Sequence, residues 1–145
     1  MTENMRAGGC LCGAVRFQAR VPEPAFAMCH CDMCRKWCSG PFEAVHCDGG
    51  IEFQGQDALT WYRSSEWGER GFCGTCGTNL FWRMADQPDA MLGISVEAFD
   101  DNDDFTLQQH IYIDRKPSRY DFADDCPRLT EAEFLAEIGA TPGGG

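Results

Sequence analysis

Apolar and polar residues alternate early in the chain, with Val15, Phe17 and Ala19 interleaved with Arg16, Gln18 and Arg20. A period of two is the mark of a strand with one face buried. Short apolar or aromatic runs follow at 42–45, 51–53, 59–62, 80–84, 91–96 and 111–113. Turn formers separate them, as in Asp48-Gly49-Gly50, Gln87-Pro88-Asp89 and the acidic stretch 100–104. Many short strands at this spacing predict antiparallel sheets and a mainly β fold.

Helical signals are few. Thr130 with Glu133 forms a capping box, Phe134, Leu135 and Ile138 supply an apolar side, and Gly139 is a stop, which predicts a short C-terminal helix. A briefer helical turn is expected over 33–37, with Asp32 as its capping side chain. Residues 2–7 and 141–145 carry neither period and are expected to fray.

The chain has 145 residues, enough for one domain with a real core, and a single domain over 1–145 is expected. Lys and Arg total 12 against 23 Asp and Glu, a formal charge of -11. That acidity speaks against nucleic acid or an anionic membrane as partner, since both call for basic surfaces. The N-terminal residues contain no apolar run of signal-peptide type, so a cytoplasmic protein is expected.

Chemistry enters with the cysteines, of which there are ten. Seven fall in three tight groups: Cys10-x-Cys12, Cys29-x-Cys31-x-x-Cys34 and Cys73-x-x-Cys76. In a reducing compartment such groups are metal or redox sites rather than disulfides. Four thiolates close a tetrahedral zinc site, whereas three leave a position free, which is how structural and catalytic zinc differ. The outer pairs, each followed by glycine (Gly13 and Gly77), make a closed site from Cys10, Cys12, Cys73 and Cys76. Cys29, Cys31 and Cys34 make an open one. Two Zn2+ per chain are expected.

Rival readings exist for each group. Cys73-Gly74-Thr75-Cys76 also has the spacing of a redox dithiol, but such dithiols open helices, and Leu80-Phe81-Trp82 reads as a strand. Cys31 and Cys34 pair with Cys73 and Cys76 in an alternative closed site. Cys38, Cys47 or a histidine is an alternative fourth ligand for the middle group. His30 is expected to turn away from a metal that its neighbours share. Cys47 and Cys126 are read as simple thiols, and His46 and His110 as hydrogen-bonded structural histidines. The glycines at 68, 71, 74 and 77 are assigned to turns and knuckles.

Four blocks resemble the family of glutathione-dependent formaldehyde-activating enzymes, to which relatives of centromere protein V also belong. They are Gly8-Gly9-Cys10-Leu11-Cys12-Gly13-Ala14-Val15-Arg16-Phe17, Cys29-His30-Cys31-Asp32-Met33-Cys34-Arg35-Lys36, Phe72-Cys73-Gly74-Thr75-Cys76-Gly77-Thr78-Asn79-Leu80-Phe81 and His110-Ile111-Tyr112-Ile113. The resemblance implies a tent-like, mainly β fold with a core of about 8–140 and two zinc sites. Cys10, Cys12, Cys73 and Cys76 hold the structural ion in such proteins, and Cys29, Cys31 and Cys34 the catalytic one. The implied activity is that of a carbon–sulfur lyase, joining formaldehyde to glutathione as S-(hydroxymethyl)glutathione.

Zinc at the open site lowers the pKa of an external thiol, and thiolate delivery is favoured over carbonyl activation. Arg35 and Lys36 are candidate contacts for the carboxylates of a glutathione-like thiol. A thiol-adduct carrier without turnover and a zinc-stabilised protein-interaction module are the alternatives.

Overall fold

A computed structural model describes residues 4–139. The strands in chain order are β1 (Met5–Gly9), β2 (Arg16–Arg20), β3 (Ala25–Cys29), β4 (Phe42–Cys47), β5 (Ile51–Gln54), β6 (Leu59–Arg63), β7 (Gly68–Cys73), β8 (Asn79–Met84), β9 (Leu92–Ser95) and β10 (Thr106–Ile111). Helix α1 (Asp32–Cys38) follows β3, and α2 (Glu131–Ile138) ends the described chain. The mainly β expectation holds, with a short C-terminal helix as predicted.

The alternation in β2 works as read. Phe17 and Ala19 are buried and Gln18 and Arg20 exposed. Strands β1, β2 and β5 form a three-stranded sheet. A seven-stranded sheet runs β10-β3-β4-β9-β8-β7-β6. Between the two, Phe81 of the large sheet meets Phe17 and Phe53 of the small one edge-on, with ring centroids 5.4 and 5.5 Å apart. Val15, Val45, Leu80 and Ile94 complete this core without exposure. Burying one such side chain contributes about 1.5–3 kcal/mol, so these contacts are what join the sheets.

Four expectations need correction. The sheets are not wholly antiparallel, because β10 pairs β3 in parallel, setting His110 beside Met28 and Ile111 beside Cys29. The run at 111–113 therefore ends a strand that begins at Thr106, and Ile113–Arg115 is a short 3-10 turn. Residues 5–7, read as frayed, are strand β1 paired with Gln18–Arg20 of β2, a ladder that needs no apolar period. Residues 2, 3 and 141–145 lie outside the described residues. Gly68 and Gly71 are not turn residues but lie within β7. A Cβ there would stand 2.8 Å from the indole of Trp82 or of Trp61, respectively, so these positions make room for tryptophans.

Helix α2 has its capping box, with Thr130 Oγ1 accepting from Glu133 N at 3.1 Å and Glu133 Oε1 accepting from Thr130 N at 2.8 Å. No helix among the described residues is long and apolar enough to cross a membrane.

Candidate metal centres

The seven clustered cysteines are brought together as two groups. Cys10, Cys12, Cys73 and Cys76 have sulfurs all within 4.8 Å of one another, and so do Cys29, Cys31 and Cys34. The alternative pairing of Cys31 and Cys34 with Cys73 and Cys76 is not what the fold assembles. All ten cysteines are free thiols.

The four-cysteine group joins two turns. Cys10 N donates to Val15 O, and Gly13 N to Cys10 O, with Gly13 at φ +82°. On the other side Cys73 N donates to Thr78 O, and Gly77 N to Cys73 O, with Gly77 at φ +84°. Both glycines hold a backbone conformation that L side chains strain to adopt, which is the reason for the trailing glycine in each knuckle. The reversed chains then aim amides at sulfur. Val15 N lies 3.2 Å from Cys10 Sγ, and Thr75 N and Cys76 N each lie 3.4 Å from Cys73 Sγ. Thr78 ties the knuckles together, its Oγ1 accepting from Leu11 N at 3.0 Å and lying 3.1 Å from Cys76 Sγ.

The spacing fits a tetrahedral ion. Cys10 and Cys12 sulfurs are 3.7 Å apart, and Cys12 and Cys73 sulfurs 3.9 Å. A zinc–sulfur bond of about 2.3 Å in a tetrahedron gives roughly 3.8 Å between sulfurs. Charge fits too. The Thr78 hydroxyl and then its amide pull the Cys76 thiol down to about 5. Cys12, against the pull of the Ala14 amide, is pushed up to about 11 by burial and the neighbouring thiols. Sulfurs this close ionise together only around a cation.

The three-cysteine group has a different base. Cys29 ends β3, Cys31 is the N-cap of α1, and Cys34 lies in the first turn of that helix. The cap is Cys31 rather than Asp32, since Cys31 Sγ accepts from Cys34 N at 3.3 Å. Asp32 instead accepts from Arg35 Nη2 at 2.7 Å. Hydrogen bonds from the Cys29 and then the Cys34 thiol hold Cys31 far down as a thiolate, while Cys29, bonded to the Cys31 sulfur, is pushed well up. One charge is stable there without a cation, and three require one. Cys38 and Cys47, alternative fourth ligands, stand outside this group, as do the histidines, and Cys47 Sγ donates to Gly49 O at 3.1 Å.

Of the two expected substrate contacts, Arg35 is engaged locally. Its Nε donates to His30 O at 3.1 Å and its Nη2 to Asp32. Lys36 is exposed on the helix surface. Neither of two clefts on the molecule, of about 390 and 210 Å3, is lined by Cys29, Cys31 or Cys34, though the smaller one reaches Cys38 at the end of α1.

Two features went unread in the sequence. Arg70 of β7 is 2 % exposed and places Nη1 3.5 Å from Cys34 Sγ. Behind the centre, half-buried Asp124 and the fully buried His110 and His30 form a chain. His110 Nε2 lies 3.0 and 3.1 Å from the Asp124 oxygens, so it carries the proton, and His30 Nε2 donates to His110 Nδ1 at 2.8 Å. His110 is thus the hydrogen-bonded structural residue expected. His30 is turned from the sulfurs toward His110, and burial, then the nearby His110, lowers its pKa to about 4. A pair of charged residues, Glu69 and Arg70, between two glycines was the one signal available for Arg70.

Residues 5–115 match the family model described as glutathione-dependent formaldehyde-activating enzyme. The chain belongs to that family. An uncharacterized lyase of Schizosaccharomyces pombe is 34% identical over 131 residues, covering 90% of this chain and 95% of its own length. A Halomonas elongata protein, provisionally named a glutathione-dependent formaldehyde-activating enzyme, is 34% identical over 83 residues, 51% of this chain and 53% of its own. A Rhodobacter sphaeroides crystal structure shares the fold with a TM-score of 0.57 at 20% identity, covering 70% of this chain and 99% of that one. Family membership makes this a lyase-type enzyme of glutathione chemistry.

Proposed function

We propose that this chain is a zinc-dependent carbon–sulfur lyase that joins a glutathione-like thiol to a small aldehyde such as formaldehyde, or reverses that addition. Cys29, Cys31 and Cys34 would hold the reactive Zn2+, and Cys10, Cys12, Cys73 and Cys76 a structural Zn2+. The single observation that carries the reading is the unequal number of sulfurs: four converge at one centre and three at the other. Family membership supplies the thiol and the aldehyde.

Zinc at the three-cysteine centre would supply a positive charge that keeps an external thiol ionised at neutral pH. The protein's own residues do the rest. Cys31 fixes the start of α1 and so the spacing of the three sulfurs. The Asp124–His110–His30 chain holds the backbone at Cys29 and Cys31, because His30 N also donates to Ile111 O at 3.0 Å. Lys36, with Arg35 beside it, lies one to two residues past the last sulfur, where a tripeptide's carboxylates would meet positive charge.

The test compares the rate of formaldehyde addition to glutathione, followed by NMR, with and without protein. Acceleration by the wild type and none by Cys31→Ser is expected. Serine keeps a side-chain oxygen for the helix cap, so that variant should fold. Glutathione binding without any rate enhancement would replace the enzyme by a carrier of the thiol or its adduct.

A further inference from the structure

Arg70 is a buried cation with an unusual set of partners. Its Nε donates to Ser64 Oγ at 3.2 Å, its guanidinium lies 5.2 Å from the centre of the Trp37 ring, and its Nη1 faces Cys34 Sγ at 3.5 Å. No carboxylate pairs with it among the described residues. Glu69, its neighbour in the strand, is engaged by Arg83 at 2.8 Å. Its Nη2 is buried and has no hydrogen-bond partner. A guanidinium taken out of water without compensation is costly, and buried charges are therefore paired or coordinated. Here the compensating negative charge is sulfur.

The charge count gives this placement a consequence. Three thiolates around a divalent ion carry one net negative charge, which would repel an anion arriving at the free position. Arg70 brings the sum to zero. Four thiolates around a divalent ion would carry two net negative charges, and the sulfurs of that centre are met by the amides of Val15, Thr75 and Cys76 and by Thr78 rather than by an arginine.

We propose that Arg70 is the specificity-determining residue of the three-cysteine centre: its buried charge admits an anionic fourth ligand, of which a thiolate is one, and its unengaged Nη2 is the donor that meets that ligand. The proposal rests on the reading above, that Cys29, Cys31 and Cys34 hold a divalent ion. It extends that reading from the metal to the charge of what completes the site.

Cobalt-substituted protein tests it, because the absorption bands of Co2+ respond to a change of ligand. Azide and 2-mercaptoethanol serve as anionic probes and imidazole as the neutral one. The wild type should take up two ions and bind all three probes. In Arg70→Met, azide and thiolate binding should weaken roughly tenfold to a hundredfold, the effect of a unit charge a few ångströms away in a protein-like dielectric. Imidazole affinity should change by less than about threefold, since a neutral ligand feels that charge weakly. Arg70→Lys, which keeps the charge, should retain most of the anion affinity. Arg70→Gln serves the same comparison if methionine prevents folding.

Two bound ions with azide affinity unchanged in Arg70→Met would overturn the role of Arg70 alone. Equal losses for azide and imidazole, or a lysine variant as poor as the methionine one, would do the same. A wild type that takes up a single ion would overturn the centre itself and the proposal with it.

Discussion

The two cysteine centres use the same donor atom on opposite kinds of scaffold. The four-cysteine group sits on turns at the ends of strands, one of its members, Cys12, is exposed, and its sulfurs are surrounded by backbone amides. The three-cysteine group sits where β3 runs into α1, with Cys31 and Cys34 buried and side chains from distant segments behind them. Where local backbone meets every sulfur, the centre acts as a clip between turns. Where the neighbours are a buried arginine and a histidine pair, reactivity is adjustable without altering the fold. The structural role proposed for the four-cysteine group rests on the first arrangement, and the chemical role proposed for the three-cysteine group on the second.

Breaking each centre in turn is the strongest probe of that contrast. Cys73→Ser should unfold the protein at room temperature, because structural zinc binding in small modules is worth on the order of 10 kcal/mol. Circular dichroism and limited proteolysis report it. A Cys73→Ser variant that keeps its melting temperature and two ions would erase the distinction. Cys31→Ser should lose one ion and stay folded, with a stability change below about 2 kcal/mol, since the cap is preserved. Graded chelation of the wild type should accordingly proceed in two steps, the first without loss of secondary structure. One step concurrent with unfolding would show the centres to be equivalent.

A subtler probe removes the histidine support that only one centre has. Asp124→Asn replaces the acceptor that sets the His110 tautomer, and should cost about 1–3 kcal/mol for a buried hydrogen-bond network left incomplete. Nitrogen NMR of the imidazoles should show the His110 proton redistributed, while the four-cysteine centre keeps its metal. The smallest effect concerns Glu43, at the edge of the smaller cleft. Burial, then the charge of Glu97, raises its carboxyl pKa. A raised carboxyl favours the fold at acid pH and loses that advantage as pH rises through the folded-state value. Glu43→Gln should therefore stabilise the protein by under about 1 kcal/mol at pH 8 and leave it unchanged at pH 4, as read from urea midpoints.

Much of the candidate site was legible because its ligands are local in sequence. Cys10 with Cys12, Cys73 with Cys76, and the 29–31–34 triplet each arrive on a single turn, and glycine after two of them marks the chain reversal. Strand β2 was legible for the same reason, its period being set within five residues. Strand β3 was not: all five of its residues are half-buried, so no alternation exists to read. The short N-terminal strand β1, rich in glycine, hid in the same way. Asp32 was misread as a cap because aspartate is the commoner choice, whereas a cysteine sulfur fills that position here.

By itself the amino-acid sequence determined the mainly β class, the sorting of cysteines into knuckles, the terminal helix and the family. These depend on spacing over a few residues, where backbone geometry leaves little choice. Only the tertiary structure decided which knuckles share a centre, the parallel pairing that sets Ile111 beside Cys29, and the meeting of Arg70 with Cys34 across 36 residues. Those contacts are selected by the joint packing of two sheets and a helix, in which a buried charge settles where opposite charge is, and no local period records that.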